Sequence, residues 1–298
     1  MTAPGLPPID GTWYCDLWDP DLKILHRVRT TLFDGASAFQ TVEVADTCGF
    51  GRMLILDGLP QAAEKDEMVY AKALAWPPLL AAPGPTRVLV TGGGDGHVLR
   101  EVLRFPSVTS VVVCDIDPMV TKVTQEHMPF MWDGAERDRR AEIRHADAWE
   151  YLGSAAPGSF EVVISDITDP GGEGSASHHL YSRAYFERIR RCLAPGGVCA
   201  AQAQELSVRD FEHHARLRRL VAGVFAAVRS GHVYMPSFGY PEGLLFASDD
   251  PARLDLGRAE IEASLRQAGL GGDAYFDAAV HAAMFALPPL IRAALEKP

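Results

Sequence analysis

Residues 88–103, VLVTGGGDGHVLREVL, run an apolar strand-like segment into three glycines, an aspartate, a fourth glycine and then a helix-like pattern. Few folds place a bare turn between a buried strand and a helix, and the rest of the chain repeats the theme. Strand candidates fall at Arg87–Thr91, Ser110–Cys114, Glu142–His145, Glu161–Ser165 and Gly197–Ala201. Helical segments lie between them, such as His97–Phe105, which carries Val98, Leu99, Val102 and Leu103 on one face. Strands of near-continuous Val and Ile separated by helices predict a parallel sheet covered on both sides. The segment LAPGGVCAAQAQ reads as a helix end, a Pro-Gly-Gly turn and a strand, and GHVYMPSFGYPEGLLFAS as a late hairpin.

Upstream, the pattern is different. ILHRVRTTLFDG, SAFQTVEVAD and GRMLILDG read as short strands, with turns at both Asp-Gly pairs. A helix follows in EKDEMVYAKALAWPPLL, and Pro77 and Pro78 are expected to stop it. The fold class is therefore α/β: a Rossmann-like, doubly wound, mostly parallel sheet with a small N-terminal antiparallel β-domain. The expected domains are 1–68, a β-hairpin unit, and 69–298, the ligand-binding catalytic unit.

In such sheets a ligand sits beyond the carboxyl ends of the strands, at the switch in strand order. Gly92 and Gly94 fit the dinucleotide fingerprint, but its last glycine is replaced by His97. Asp95 fits worse, because a carboxylate would repel a pyrophosphate at a helix N-terminus. An adenosine ligand with a positive centre, such as an S-adenosyl sulfonium, would instead favour it. Taken alone, the loop is also compatible with an ordinary glycine turn. The next strands add weight to the ligand reading. VVVCDID places Asp115 where a carboxylate can accept both hydrogen bonds of a ribose diol. HADAWEYL places Asp147 where an adenine amino group needs an acceptor. VVISDITDP brings Asp166 and Asp169 to the same crevice, as a pair able to bind an ammonium and take its proton, or as an Asx turn before Pro170.

Charge and composition narrow the classes further. Lys and Arg number 28 against 39 Asp and Glu, a formal charge of −11, which argues against nucleic acid as a partner. No apolar run reaches 18 residues and the N-terminus lacks the order of a signal peptide, so no membrane is expected and a cytoplasmic location is. The five scattered cysteines, none in a CxxC, suit reduced thiols. His178–His179 and His213–His214 have no further ligands spaced to complete a site, so no metal is expected, and the second pair is read as helix surface. The segment GGEGSASHH after Pro170 is a candidate lid.

These motifs, with FQ at 39–40, LDGLPQ at 56–61, EKDEMVY at 64–70, LAPGGV and YPEG, resemble the spermidine synthase (polyamine aminopropyltransferase) family from about Trp13 to Ser248. The resemblance implies transfer of a group from an S-adenosyl sulfonium to a small-molecule amine, and a homodimer or homotetramer. It implies a donor site of Gln40, Gln61, Gly92, Gly94, Asp95, Asp115, Ile116, Asp147 and Ala148. There Asp95 would hold the donor's tail amine, Asp115 the ribose, and Asp147 the adenine, with Ile116 against the ring. Asp166, assisted by Tyr70, would deprotonate or orient the attacking amine, while Asp169, Tyr240 and Gln202 would position it.

The chain also departs from the family pattern. It has Tyr70-Ala71-Lys72 for Tyr-His-Glu, Gln202-Ala203-Gln204 for a motif ending in Glu, Glu242 for a small residue, and a longer lid. A lysine at 72 either offers a cation to a donor that keeps its carboxylate or points to solvent. Because Asp166, Asp169, Tyr70 and Tyr240 are all retained, the leading expectation from the resemblance is decarboxylated S-adenosylmethionine as donor, for aminopropyl transfer. With intact S-adenosylmethionine it would serve methyl or 3-amino-3-carboxypropyl transfer. A non-catalytic nucleoside-binding homologue is the third reading.

Overall fold

The computed structural model describes residues 10–19, 21–170 and 177–296. Its first sheet is antiparallel and has five strands in chain order: β1 (Thr12–Cys15), β2 (Leu25–Ala36), β3 (Thr41–Thr47), β4 (Gly51–Leu56) and β5 (Leu59–Ala63). The second Asp-Gly pair makes the expected tight hairpin, with both Asp57 (φ +48°) and Gly58 (φ +73°) left-handed. The first pair does not turn. Asp34 and Gly35 stay in β2 opposite Glu43 and Val42, and the chain reverses at Ser37–Gln40. The Ser37 hydroxyl accepts from the amides of Phe39 and Gln40, supplying the turn's polar partners without a glycine.

Helix α1 (Glu67–Ala81) begins the second unit and runs through Pro77 and Pro78 rather than ending there. The fixed φ of proline is itself helical; what is lost is two backbone donors, normally a cost of about 3 kcal/mol or more per proline. Burial outweighs it. Trp76, with no exposed surface, packs edge-on against Phe105 (5.8 Å) and Phe276 (5.1 Å), and its indole N–H donates to Glu101 (3.1 Å).

The main sheet follows as β6 (Arg87–Gly92), α2 (His97–Leu103), β7 (Ser110–Asp115), α3 (Pro118–His127), β8 (Ala141–His145), α4 (Ala148–Ser154), β9 (Phe160–Asp166), α5 (Arg183–Cys192), β10 (Leu193–Glu205), α6 (Glu212–Ala222), β11 (Ala227–Met235) and β12 (Tyr240–Ser248). Strand order is β11-β12-β10-β9-β6-β7-β8. Five strands are parallel, and the late hairpin adds β12 and β11 antiparallel at one edge. The Pro-Gly-Gly segment is an irregularity inside β10, whose register shifts between Leu193 and Val198. Along β6, Val88 and Val90 join the core under α1, α2 and α3, while Leu89 joins the core under α4, α5 and α6. β9 does the same with Val162 and Ile164 against Val163. Both faces are therefore dry, which is why these strands read as unbroken apolar runs.

The chain winds from β6 outward to β8, then returns to the other side of β6 as β9. The switch point thus lies between Gly92 and Asp166, which are paired in register.

Candidate active site

At that switch the loop after β6 must pass very close to the end of β9. Gly92 (φ +75°) leaves room for nothing else: a Cβ there would collide with the Asp166 carbonyl, while the Gly93 amide donates to that carbonyl at 3.0 Å. A Cβ on Gly94 would stand 2.6 Å from the Asp115 carboxyl carbon, and the Gly94 amide instead donates to Asp115 Oδ2 (2.9 Å). Asp115 Oδ1 accepts from the Asp117 amide (2.8 Å). A carboxylate has about four acceptor positions, so Asp115 can bind the loop and still face a diol.

A cavity of about 340 Å³ opens over this loop, and all fourteen candidate residues line it. Gln40, Gln61, Gly92, Gly94, Asp95, Asp115, Ile116, Asp147 and Ala148 line it together with Tyr70 of α1, Asp166 at the end of β9, Asp169, Gln202 of β10 and Tyr240 of β12. Gln40 reaches across from the N-terminal sheet and donates to Asp117 (2.9 Å). Asp147 caps α4, accepting from the Trp149 amide (2.7 Å).

Tyr70 projects from α1 and donates to Asp166 Oδ1 at 2.7 Å. Burial first, then the Asp166 charge, raises its phenol well above the usual range, so it stays a donor. On the other flank, Gln202 Nε2 donates to Asp169 Oδ1 (2.7 Å) and Glu242 Oε1 (3.1 Å). Burial pushes Asp169 up to about 6, and pushes Glu242 well above the carboxylate range with the Asp169 charge adding to it. Tyr240 stacks on Trp18 (6.2 Å) beside them.

Two acceptor-side wall residues, Asp16 and Trp18, carry no motif and were not anticipated. Neither was His97 as a site residue, although its place at the fingerprint's final glycine was a signal. Its Nε2 lies 3.6 Å from Asp95 Oδ2 and 3.8 Å from Asp166 Oδ2, its Nδ1 lies 3.8 Å from Glu67 Oε2, and its ring is tilted 5.5 Å from Tyr70. Among the described residues, atoms of Asp95, His97 and Asp166 form the one cluster, within 4.8 Å of one another, compact enough to bracket a small cation.

Two expectations need correction. Lys72 neither faces the donor nor reaches solvent: its ammonium is buried against both oxygens of Asp273 (2.7 Å), over the Trp76 ring. Helix α1 turns residue 72 away from the face that carries Tyr70, and the C-terminal segment supplies the acid. His214 is core, not surface; it bonds the Ala203 carbonyl (3.1 Å) and Ser230 (2.9 Å), and burial lowers it to about 3. Its helix packs that edge against β10 and β11. The candidate lid falls largely on residues 171–176, outside the described residues; Ser177 at its end donates to the Asp169 carbonyl (3.0 Å).

Comparison with known proteins fits this arrangement. A family model described as the spermine/spermidine synthase domain matches residues 67–249, and one described as the spermidine synthase tetramerisation domain matches 12–64. The chain belongs to the spermine/spermidine synthase family. Among its relatives, a polyamine aminopropyltransferase of Aeropyrum pernix is 38% identical over 288 residues, covering 96% of this chain and 91% of the relative. One of Moorella thermoacetica is 34% identical, covering 97% and 98%. A solved spermidine synthase in complex with the transition-state analogue AdoDATO superposes with a TM-score of 0.86 at 28% identity, over 99% of this chain and 98% of that one. The α/β fold with its N-terminal antiparallel sheet is thus the fold of the family. Among the described residues no single helix is long and apolar enough to cross a membrane.

Proposed function

We propose that this family member transfers an aminopropyl group from decarboxylated S-adenosylmethionine to a small amine by direct displacement. One observation carries the reading. Among the described residues the charged side chains of the cavity wall are acidic, Asp16, Asp57, Asp95, Asp115, Asp147, Asp166, Asp169 and Glu242, and His97 is its only basic side chain. A donor that is both sulfonium and ammonium, and an acceptor that is an amine, suit such a wall.

In this reading Asp115 takes the ribose, Asp147 with Ile116 and Ala148 the adenine, and Gln40 and Gln61 close the donor side. Asp95 takes the terminal ammonium of the aminopropyl chain. Asp166, oriented by Tyr70, holds the acceptor nitrogen, accepts its proton and points its lone pair at the propyl carbon next to sulfur. The N–C bond forms as the C–S bond breaks, and methylthioadenosine leaves with the electron pair. A sulfonium needs no acid to leave, so alignment is the enzyme's main contribution, worth up to about 7–11 kcal/mol in the best cases. Asp169, Gln202 and Tyr240 hold the rest of the acceptor.

Intact S-adenosylmethionine is disfavoured: its carboxylate would meet Asp95 and Asp166, and Lys72, the lysine expected to receive it, is committed to Asp273. For assembly we propose a homo-oligomer, dimer or tetramer, formed through residues 1–68, with 69–298 as the catalytic unit. The unpaired cysteines are consistent with a reducing, cytoplasmic setting.

The test is to incubate the enzyme with decarboxylated or intact S-adenosylmethionine and a panel of amines, and to identify the nucleoside by mass spectrometry. Methylthioadenosine from the decarboxylated donor is expected. S-adenosylhomocysteine alone would overturn the assignment.

A further inference from the structure

His97 starts α2 at the place where a glycine loop is closed by one more glycine, yet it is almost fully buried. Its ring is met by three acids and an aromatic: Glu67 and Tyr70 from α1, Asp95 from the loop and Asp166 from β9. Arg100, one turn further along α2, grips both oxygens of Glu67 (2.9 Å each), so Glu67 is already matched. Asp95 and Asp166 are the carboxylates that depend on His97 for a counter-charge.

That counter-charge is held loosely. None of the three contacts, at 3.6–3.8 Å, is a hydrogen bond, and His97 Nδ1 and Asp95 Oδ1 are both buried without a hydrogen-bond partner. The ring sits as a charge beside two carboxylates, one of which keeps a buried oxygen without a partner.

We infer that His97 is a positioning residue, the counter-cation of Asp95 and Asp166 in the free enzyme. The donor's terminal ammonium takes over that task, so that donor binding expels the His97 proton. The inference rests on the proposed donor. Burial pulls the imidazole toward its neutral form, but Asp95, then Asp166 and Glu67, raise it to about 9, so the proton is present at neutral pH. An ammonium held by Asp95 brings a second unit charge within about 4 Å of the ring. At an effective dielectric near 20 that favours the neutral ring by a factor of roughly 10³. The two aspartates then remain ionised and turned to the substrate, with no competing protein cation.

The experiment is calorimetric titration at pH 7.5 in buffers of differing ionisation enthalpy, using decarboxylated S-adenosylmethionine and, separately, methylthioadenosine, which lacks the ammonium. The expected result is release of nearly one proton per site by the donor and none by methylthioadenosine. His97→Gln should abolish the release. A donor that binds the wild-type enzyme without releasing a proton, or equal release by both compounds, overturns the inference whether or not the variant folds. If neither compound binds, it is the donor assignment that fails, and the inference with it.

Discussion

Replacing Tyr70 by Phe removes one atom from the site, the hydroxyl that donates to Asp166 Oδ1 at 2.7 Å. The ring stays, buried as before against His97. A hydrogen bond to a charged partner is worth about 1.5–3 kcal/mol, so if Asp166 reacts in the orientation that bond fixes, kcat/KM should fall roughly 10- to 150-fold. Asp166→Asn removes the proton acceptor itself and should cost roughly 10²- to 10⁴-fold. The informative quantity is the coupling between them. If Tyr70 acts through Asp166, adding Tyr70→Phe to the Asp166→Asn variant should cost no more than a few-fold, since the charge it oriented is gone. Rates come from methylthioadenosine release, and donor affinity from calorimetry, which should be nearly unchanged in both single variants. Equal losses from Tyr70→Phe in both backgrounds would refute the pairing. A matching loss of donor affinity would mean that Tyr70 shapes the pocket rather than the nucleophile.

Two further outcomes test the electrostatics. Lys72→Met strands Asp273 with Arg104 alone and should destabilise the fold by about 2–4 kcal/mol in chemical denaturation while leaving donor affinity within about twofold; a large affinity loss would put Lys72 back among the donor contacts. His97 is raised when folded, to about 9 from an ordinary value near 6.5, so its contribution is fully present below pH 6.5 and disappears as pH rises through 9. The stability of wild type relative to His97→Gln should therefore shrink as pH rises between those limits, read from denaturation midpoints at each pH; a difference that grows with pH would contradict the assigned charge.

The parallel sheet was legible because it is buried on both faces: Val88–Val90 and Val162–Ile164 leave no polar alternation to confuse a strand with anything else. The acids at the strand ends were legible for a related reason, since topology alone brings Asp95, Asp115, Asp147 and Asp166 to one crevice. Local signals failed where a distant partner decided the outcome. Pro77 and Pro78 carry a strong helix-stop signal, and only the packing around Trp76 overrides it. Lys72 finds Asp273, two hundred residues away, and no spacing rule reveals that pair. His214 takes its partners from β10 and β11, also beyond its own helix pattern.

The two halves of the cavity balance their charge differently, and both answers bear on the amine substrates. Asp95 and Asp166 stand beside His97, the one basic side chain of the cavity among the described residues. On the acceptor side no lysine, arginine or histidine stands by Asp169 and Glu242 among the described cavity residues; they share the Gln202 amide, and burial shifts both toward holding a proton. Glu242 is what makes this a pair rather than a single acid. A buried pair of carboxyls disfavours double ionisation until a cation arrives between them. An acceptor whose second nitrogen is charged supplies that cation, and a neutral amine of the same length does not. If the proposed transfer is correct, a diamine or longer acceptor charged at its second nitrogen should therefore be used in preference to a monoamine of the same length, measured as kcat/KM; equal use of the two would contradict this account of Asp169 and Glu242.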